Sequence, residues 1–455
     1  MFFYNGNRVR RVGFLGFGKS NKAIYDYLSE NYGDLSFTVR TYEPIQKEIA
    51  ASEYFHGADM LSHVTEDILF LSPSARRDNE MIAEAMSRGV MISSDAELFF
   101  SSMPENVFAV TGSDGKSTTT YLTSRILAGD FRDAVPCGNF GAPLTPHLAD
   151  AEGYAYVTEL SSFTLNYLAP KSRRALITNI SENHLDWHSS FEEYAAAKMR
   201  IYENAEEIVL NYDSEITRNL AKDLDIHTVY SVSVSEKELR RRIGAKSYVT
   251  LEGGFIRSSG EEILNISDIA LKGDYNISNF TAAIAMSLGY HDKRRIRDIA
   301  RSFTGLPHRR ELIGSFRGVK YYDSAIDSTP RRTAETLSCF DGRVIVILGG
   351  RSKRLDYAPL VDALKKKAKH IVLTGESASE ILDAIISDGD FTRLGIGHAV
   401  IDDFIEAVIY SSSIASPGDT VVLSPAATSF DRFTNFEEKG RSFTDAVRRF
   451  AKERN

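Results

Sequence analysis

Two cysteines in 455 residues are too few for a disulfide framework, and Cys137 and Cys339 lack the paired spacing of a zinc site. Both are expected to be buried thiols in a reducing compartment. No apolar run approaches the ~20 residues that cross a bilayer. The opening MFFYNGNRVRRVGFLG has no long apolar segment followed by a small-residue cleavage site, so a cytoplasmic protein without a membrane partner is expected. Basic residues are scattered and the formal charge is −8, which argues against a nucleic-acid footprint. Internal repeats, low-complexity tracts and heptads are also missing, leaving no support for arrays or regulatory tails. What remains is a protein acting on small molecules, expected to be a monomer.

With 43% apolar and 25% charged residues the composition is that of a globular protein, and 455 residues exceed one compact core. Three domains are expected, at 1–104, 105–306 and 307–455. In the first, the strand-like RVGFLG (Arg11 to Gly16) runs through a glycine turn into a helical pattern, and further strands at Phe37 to Thr41 and Asp67 to Leu71 alternate with helical stretches. A second series opens with VFAVT (Val107 to Thr111) and continues at Ala155 to Glu159, Arg174 to Ile180 and Glu207 to Asn211. A third follows Leu306-Pro307, with strands at Val319 to Tyr322, Arg343 to Leu348, His370 to Thr374 and Thr420 to Leu423. The alternation predicts an α/β fold: Rossmann-like first and third domains flanking a central P-loop-type ATPase domain with a mostly parallel sheet.

The most informative segment is AVTGSDGKSTTT (Ala109 to Thr120), a strand, a glycine loop, a lysine and a hydroxyl cluster in direct succession before a helix. Backbone N–H groups of Gly112, Asp114, Gly115 and Thr118 can surround a phosphate, Lys116 can neutralise it, and the Ser117 hydroxyl can ligate Mg²⁺. The bland alternative is a tight turn with a solvated lysine, and Val110 does stand where the longer G-x-x-x-x-G-K-[ST] pattern has its first glycine. A strand ending in Thr-Gly, two residues, then Gly-Lys-Ser-Thr resembles the Mur ligases and the related folylpolyglutamate ligases.

That resemblance implies roles for residues that would otherwise read as ordinary. Glu159 in ELSSF and His184 in SENHLDWH match the pair that holds a second Mg²⁺ in Mur ligases, beside the one on the Ser117 hydroxyl. A strand-end glutamate and a lone histidine are by themselves more often a helix cap and a satisfied structural residue. Lys198 in YAAAKMRIYENA, by itself a surface lysine with its charge in water, matches the lysine carbamylated by CO₂ into a carboxylate-like metal ligand. Lys116, Glu159, His184 and Lys198 form the implied catalytic set. Asn276 and Asn279 in LKGDYNISNFTAA match adenine contacts, although asparagine at a helix start is otherwise a common cap. Arg309 in LPHR and Asp323 match further nucleotide contacts.

The chain departs from its relatives at Tyr322 to Ser328, YDSAIDS, where many carry N-D-S-K-A-T-N. Ala325 replaces the lysine and Asp327 the threonine, so neither role is carried over. Lys353 in GGRSKRLDY, with Ser429, Phe430 and Phe436 in SPAATSFDRFTNFEEKGRSF, matches residues that receive an acidic amino acid. In the first domain GFLGFGKSN has Asn21 where a dinucleotide fingerprint has its third glycine. Ser20 is positioned for a pyrophosphate, Glu43 for a ribose or uracil edge, and Asn139 in CGNFGAPL, with His184, for the sugar-nucleotide substrate. The implied reaction consumes ATP, with Mg²⁺ at two sites, and adds D-glutamate to UDP-N-acetylmuramoyl-L-alanine through an acyl phosphate. Two alternatives stand beside it: a ligase of this superfamily that takes another amino acid, and a nucleotide-binding regulatory homologue without turnover.

Overall fold

The computed structural model describes residues 1–42, 53–57, 60–73, 75–150, 152–181, 187–271, 273–290, 292–352 and 355–453. Glu43, His184 and Lys353, all named above, fall outside this set. The chain divides into two compact units, Met1–Phe303 and Thr304–Asn455.

The first unit opens with an antiparallel pair, β1 (Phe2–Tyr4) and β2 (Asn7–Val9). A parallel sheet follows, of β3 (Arg11–Leu15), β4 (Ser36–Thr41), β5 (Glu53–His56), β6 (Ile68–Leu71) and β7 (Met91–Ser93), in the order β5-β4-β3-β6-β7. Strand β3 is buried from Val12 to Leu15, as the continuous apolar run of a central parallel strand requires. Strand order reverses on either side of β3, so the Gly16 to Gly18 turn lies at a topological switch point, where ligands bind in doubly wound sheets.

One charged side chain sits inside this sheet. Arg40 in β4 is 1% exposed and forms a two-point pair with Glu66, Nε to Oε1 at 2.7 Å and Nη2 to Oε2 at 3.1 Å. Its remaining donors reach the carbonyls of Met60, Ser62 and His63. Arg40→Met is expected to lower the unfolding free energy by about 3–5 kcal/mol, because Glu66 would stay buried without its counter-charge. Urea denaturation of the variant measures this, and a loss below about 1 kcal/mol contradicts it.

The same unit holds a nine-stranded sheet. Its parallel members are β8 (Val107–Thr111), β9 (Asp133–Gly138), β10 (Tyr154–Glu159), β11 (Lys171–Ile177), β12 (Asn204–Asn211), β13 (Thr228–Ser231) and β14 (Ser247–Glu252). An antiparallel meander, β15 (Phe255–Ser258) and β16 (Glu261–Asn265), ends one edge. The order β16-β15-β14-β13-β12-β11-β8-β10-β9 puts β8 in the interior, between β10 and β11.

The second unit carries β17 (Glu311–Phe316), β18 (Val319–Asp323), β19 (Val344–Leu348), β20 (Ala368–Leu373), β21 (Gly397–Val400) and β22 (Thr420–Leu423) in the order β17-β18-β22-β19-β20-β21. All neighbours are parallel except the edge pair β17 and β18. Helices cover both faces, with one apolar cluster around Leu360 and Ile381 and another around Val408 and Phe443. The α/β fold expected from the sequence is present; Cys137 is buried as expected, whereas Cys339, at the C-terminal end of the helix Pro330–Ser338, is exposed. No helix among the described residues is long and apolar enough to cross a membrane.

Candidate nucleotide and metal site

Strand β8 is buried throughout and delivers the chain to a turn that only glycine can make. Gly112 has φ +147°, and a Cβ there would lie 1.9 Å from Thr178 Oγ1. Gly115 is left-handed, with φ +75°, and caps the helix Lys116–Leu127. The turn is braced from the C-terminal end of β11. Thr178 Oγ1 donates to Asp114 O at 2.6 Å, while the Asn179 amide accepts from Asp114 N at 3.0 Å and donates to Asp114 O at 3.2 Å. The Ser113 hydroxyl donates to Ser181 O, accepts from Ser181 N, and lies 2.8 Å from the Tyr194 hydroxyl. The segment is therefore a shaped cradle opening onto a helix N-terminus, where phosphate is favoured. Lys116 closes over it, its Nζ donating to Ser113 O at 2.8 Å.

Lys198 is not a surface residue. It lies on the helix Phe191–Met199, is 2% exposed, and donates to Gly112 O at 2.7 Å and Thr111 Oγ1 at 3.4 Å. Burial, reinforced by the Lys116 charge, pushes its pKa well below that of an ordinary ammonium, while Glu159 and Asp114 oppose the shift. Glu159, at the end of β10, is 1% exposed; its Oε1 accepts from Asn139 Nδ2 at 2.8 Å. Its other oxygen is buried and has no hydrogen-bond partner among the described residues. An uncompensated carboxylate oxygen is costly to bury, and β10 is the direct neighbour of the phosphate-loop strand, with Glu159 in register with Val110. The Glu159 carboxylate and the Ser117 hydroxyl at the helix start are oxygen donors of the kind a hard cation such as Mg²⁺ takes. Asn139 is tied to the same strand end, its N–H donating to Glu159 O at 2.8 Å.

Sequence reasoning missed several supports. His188 is buried and bridges its Nε2 to Ser162 Oγ at 3.0 Å, linking the segment after Glu159 to the stretch that follows His184. Burial lowers its pKa, against the pull of Glu193. Arg76, from the turn after β6, stacks 4.8 Å from the Trp187 ring and donates to Trp187 O. Nothing local in the sequence marks these residues, which lie several positions beyond the ends of β6 and β11. Asn21 explains the absent third glycine of the first turn: its Nδ2 donates to Gly16 O at 2.7 Å and approaches Leu15 O and Phe70 O at 3.2 Å. Ser20, beside it in the first turn of the helix Lys19–Asn31, is half-buried.

Asn276 is buried and spends its Nδ2 on Leu271 O, whereas Asn279 Oδ1 faces the phosphate loop and lies 3.5 Å from Thr119 Oγ1. In the second unit Arg309 is exposed. Asp323 is buried, with Oδ2 2.7 Å from His308 Nδ1 and Oδ1 accepting from Ala325 N. Burial works against a charged His308, but the Asp323 partner outweighs it and the imidazole pKa is raised. Ala325 is buried in an apolar cluster with Val319, Val421 and Phe443, surroundings in which a lysine ammonium would be costly to desolvate. Asp327 is buried and accepts from Ser424 Oγ at 2.7 Å. Ser429 Oγ is buried and has no partner among the described residues, Phe430 is exposed, and the Phe436 ring lies edge-on to His308.

A glycine cradle at the end of an interior parallel strand, with a buried acid and a buried lysine behind it, defines a phosphate-loop nucleotide-dependent enzyme. Residues 110–287 match the Mur ligase middle domain and residues 308–427 the Mur ligase glutamate ligase domain. Over 96% of both chains, the sequence is 36% identical to the UDP-N-acetylmuramoylalanine–D-glutamate ligases of Acetivibrio thermocellus and of Ruminiclostridium cellulolyticum. It is 33% identical to the protein of that name from Clostridium novyi, over 97% of each chain. In fold it resembles the UDP-N-acetylmuramate-alanine ligase of Thermotoga maritima, with TM-score 0.59 and 18% identity over 98% of this chain and 100% of that one. The chain belongs to the Mur ligase family and is an ATP-dependent amide ligase of peptidoglycan precursor synthesis.

Proposed function

We propose that the enzyme joins D-glutamate to the alanyl carboxylate of UDP-N-acetylmuramoyl-L-alanine in the cytoplasm, as a monomer. The observation that carries an acyl-phosphate route is the buried pairing of Lys198 with the phosphate loop beside the uncompensated Glu159 oxygen. The near-full-length relatives named for D-glutamate support the amino acid.

A carboxylate is a poor electrophile, so the substrate oxygen first attacks the γ-phosphorus of ATP, the bond to ADP breaks, and an acyl phosphate forms. The amine of D-glutamate then attacks the carbonyl carbon, loses a proton, and phosphate departs. In this reading Gly112, Asp114, Gly115, Ser117 and Thr118 orient the triphosphate, and Lys116 neutralises charge that moves during transfer. Asn276, Asn279, Arg309 and Asp323 contact the nucleotide. Ser20, Glu43, Asn139 and His184 hold the UDP substrate, and Lys353, Ser429, Phe430 and Phe436 the amino acid. Two Mg²⁺ positions, held by Ser117 and by Glu159, His184 and carbamylated Lys198, would supply charge neutralisation at the phosphates. Carbamylation needs a neutral amine, and the lowered pKa of Lys198 favours that form. The three functional domains are 1–104, 105–306 and 307–455.

The test is ATP turnover with UDP-N-acetylmuramoyl-L-alanine and a panel of D- and L-amino acids. D-Glutamate alone should release phosphate above background. Equal turnover with another amino acid would reassign the substrate, and phosphate release independent of the acceptors would replace the ligase reading with a regulatory one.

A further inference from the structure

A second buried lysine, in the Thr304–Asn455 unit, has no part in the roles assigned so far. Lys439, in the first turn of the helix Phe436–Glu453, is 1% exposed. Its Nζ donates to Gly349 O at 2.6 Å and lies 5.6 Å from the centre of the Phe404 ring. Among the described residues no carboxylate is ion-paired with it. Burial brings its pKa down to about 8, with Asp431 acting in the opposite sense. An ammonium kept out of water with one acceptor is expensive, and such groups persist where they hold something in place.

What it holds is the turn leaving β19. Gly349 has φ +119°, and a Cβ on it would lie 1.7 Å from Thr374 O. A Cβ on Gly350 would lie 2.2 Å from Thr428 O and 3.2 Å from Lys439 Nζ, so the ammonium sits directly against this turn. Arg351 N donates to Thr428 O at 2.7 Å, which joins the turn to the segment carrying Ser429. In that segment the hydroxyls of Thr428 and Ser429 are buried and have no partner among the described residues, which leaves polar groups ready to receive a ligand.

We propose that Lys439 is a positioning residue for the acidic amino-acid substrate: through the Gly349 carbonyl it sets the Gly349 to Arg351 turn against Thr428 and Ser429, the surface that receives a carboxylate. This rests on the amino-acid site proposed above. The experiment compares KM for the amino acid, for ATP and for the UDP substrate in full-length wild type, Lys439→Met and Lys439→Arg. Losing a hydrogen bond from a charged donor costs enough to raise KM about tenfold. That rise is expected in Lys439→Met for the amino acid alone. Lys439→Arg, a planar donor group reaching the same carbonyl, should give a smaller rise of about threefold, again confined to the amino acid. If Lys439→Met does not fold, the arginine variant decides. An unchanged amino-acid KM, or a parallel rise in all three constants, overturns the proposal. The amino-acid panel with wild type is read independently; should another amino acid turn over, the same comparison is made with that one.

Discussion

Lys198→Ala is expected to lower turnover by about 10²–10³-fold, the range for removing one preorganised electrostatic group, and millimolar acetate or formate with added chloride should return part of the loss. The Lys198 amine reaches Gly112 O from inside the unit, so truncation opens a small anion-sized space beside the phosphate loop without disturbing the hydrogen bonds from Thr178 and Asn179. If the native group is a carbamate, what the variant lacks is negative oxygen, which a small carboxylate can replace. If the native group is an ammonium, added anions would bring no recovery. A second readout needs no catalysis: wild type equilibrated with ¹³C-labelled CO₂ should show a carbamate carbon signal that Lys198→Ala lacks. The signal should fade as pH is lowered, since protonation of the amine competes with carbamylation.

Gly112→Ala is expected to abolish measurable ligation, while Gly115→Ala leaves a reduced but detectable rate. Both glycines lie at positive φ, where a side chain costs about 1–3 kcal/mol, so the backbone term alone does not separate them. Their neighbours do. A Cβ on Gly112 would lie 1.9 Å from Thr178 Oγ1 and 3.1 Å from the backbone N and O of Asn179, and Thr178 Oγ1 and Asn179 O are held in hydrogen bonds to the loop itself. A Cβ on Gly115 meets only the end of the Asn279 side chain, at 2.5 Å, which a rotation can withdraw. Overpacking of an immobile neighbour adds about 1–3 kcal/mol. Nucleotide binding by calorimetry and ADP formation in the two variants measure the ranking, and Gly115→Ala proving the more damaging would contradict this account of the cradle.

The phosphate loop was legible because its chemistry is local: strand, glycines, lysine and hydroxyls fall within twelve consecutive residues. The alternating strands were legible for the same reason, and the parallel sheets follow from them. Lys198 was not. An alanine-rich helix with one lysine has the same pattern whether that lysine meets water or a loop, and only the packing of the helix against Gly112 decides. Its role came from resemblance rather than from periodicity. Arg40, in the middle of SFTVRT, reads equally as a solvent-facing strand residue, and its burial depends on Glu66 arriving from 26 positions away. Ala325 and Asp327 could be identified as departures, but the physical reasons, a packed apolar neighbourhood and a bond to Ser424, come largely from β22 and the residue that follows it, Ser424 being 97 positions beyond Asp327. Lys439 gave no signal at all, because nothing near it in sequence indicates that it meets the turn after β19.

The hydrogen bonds that Thr178, Asn179 and Ser181 make to the phosphate loop have a thermodynamic implication. A receptor already rigid before its guest arrives surrenders little conformational freedom on association, so the attraction between triphosphate and backbone dipoles is spent on grip and alignment rather than on freezing a floppy segment.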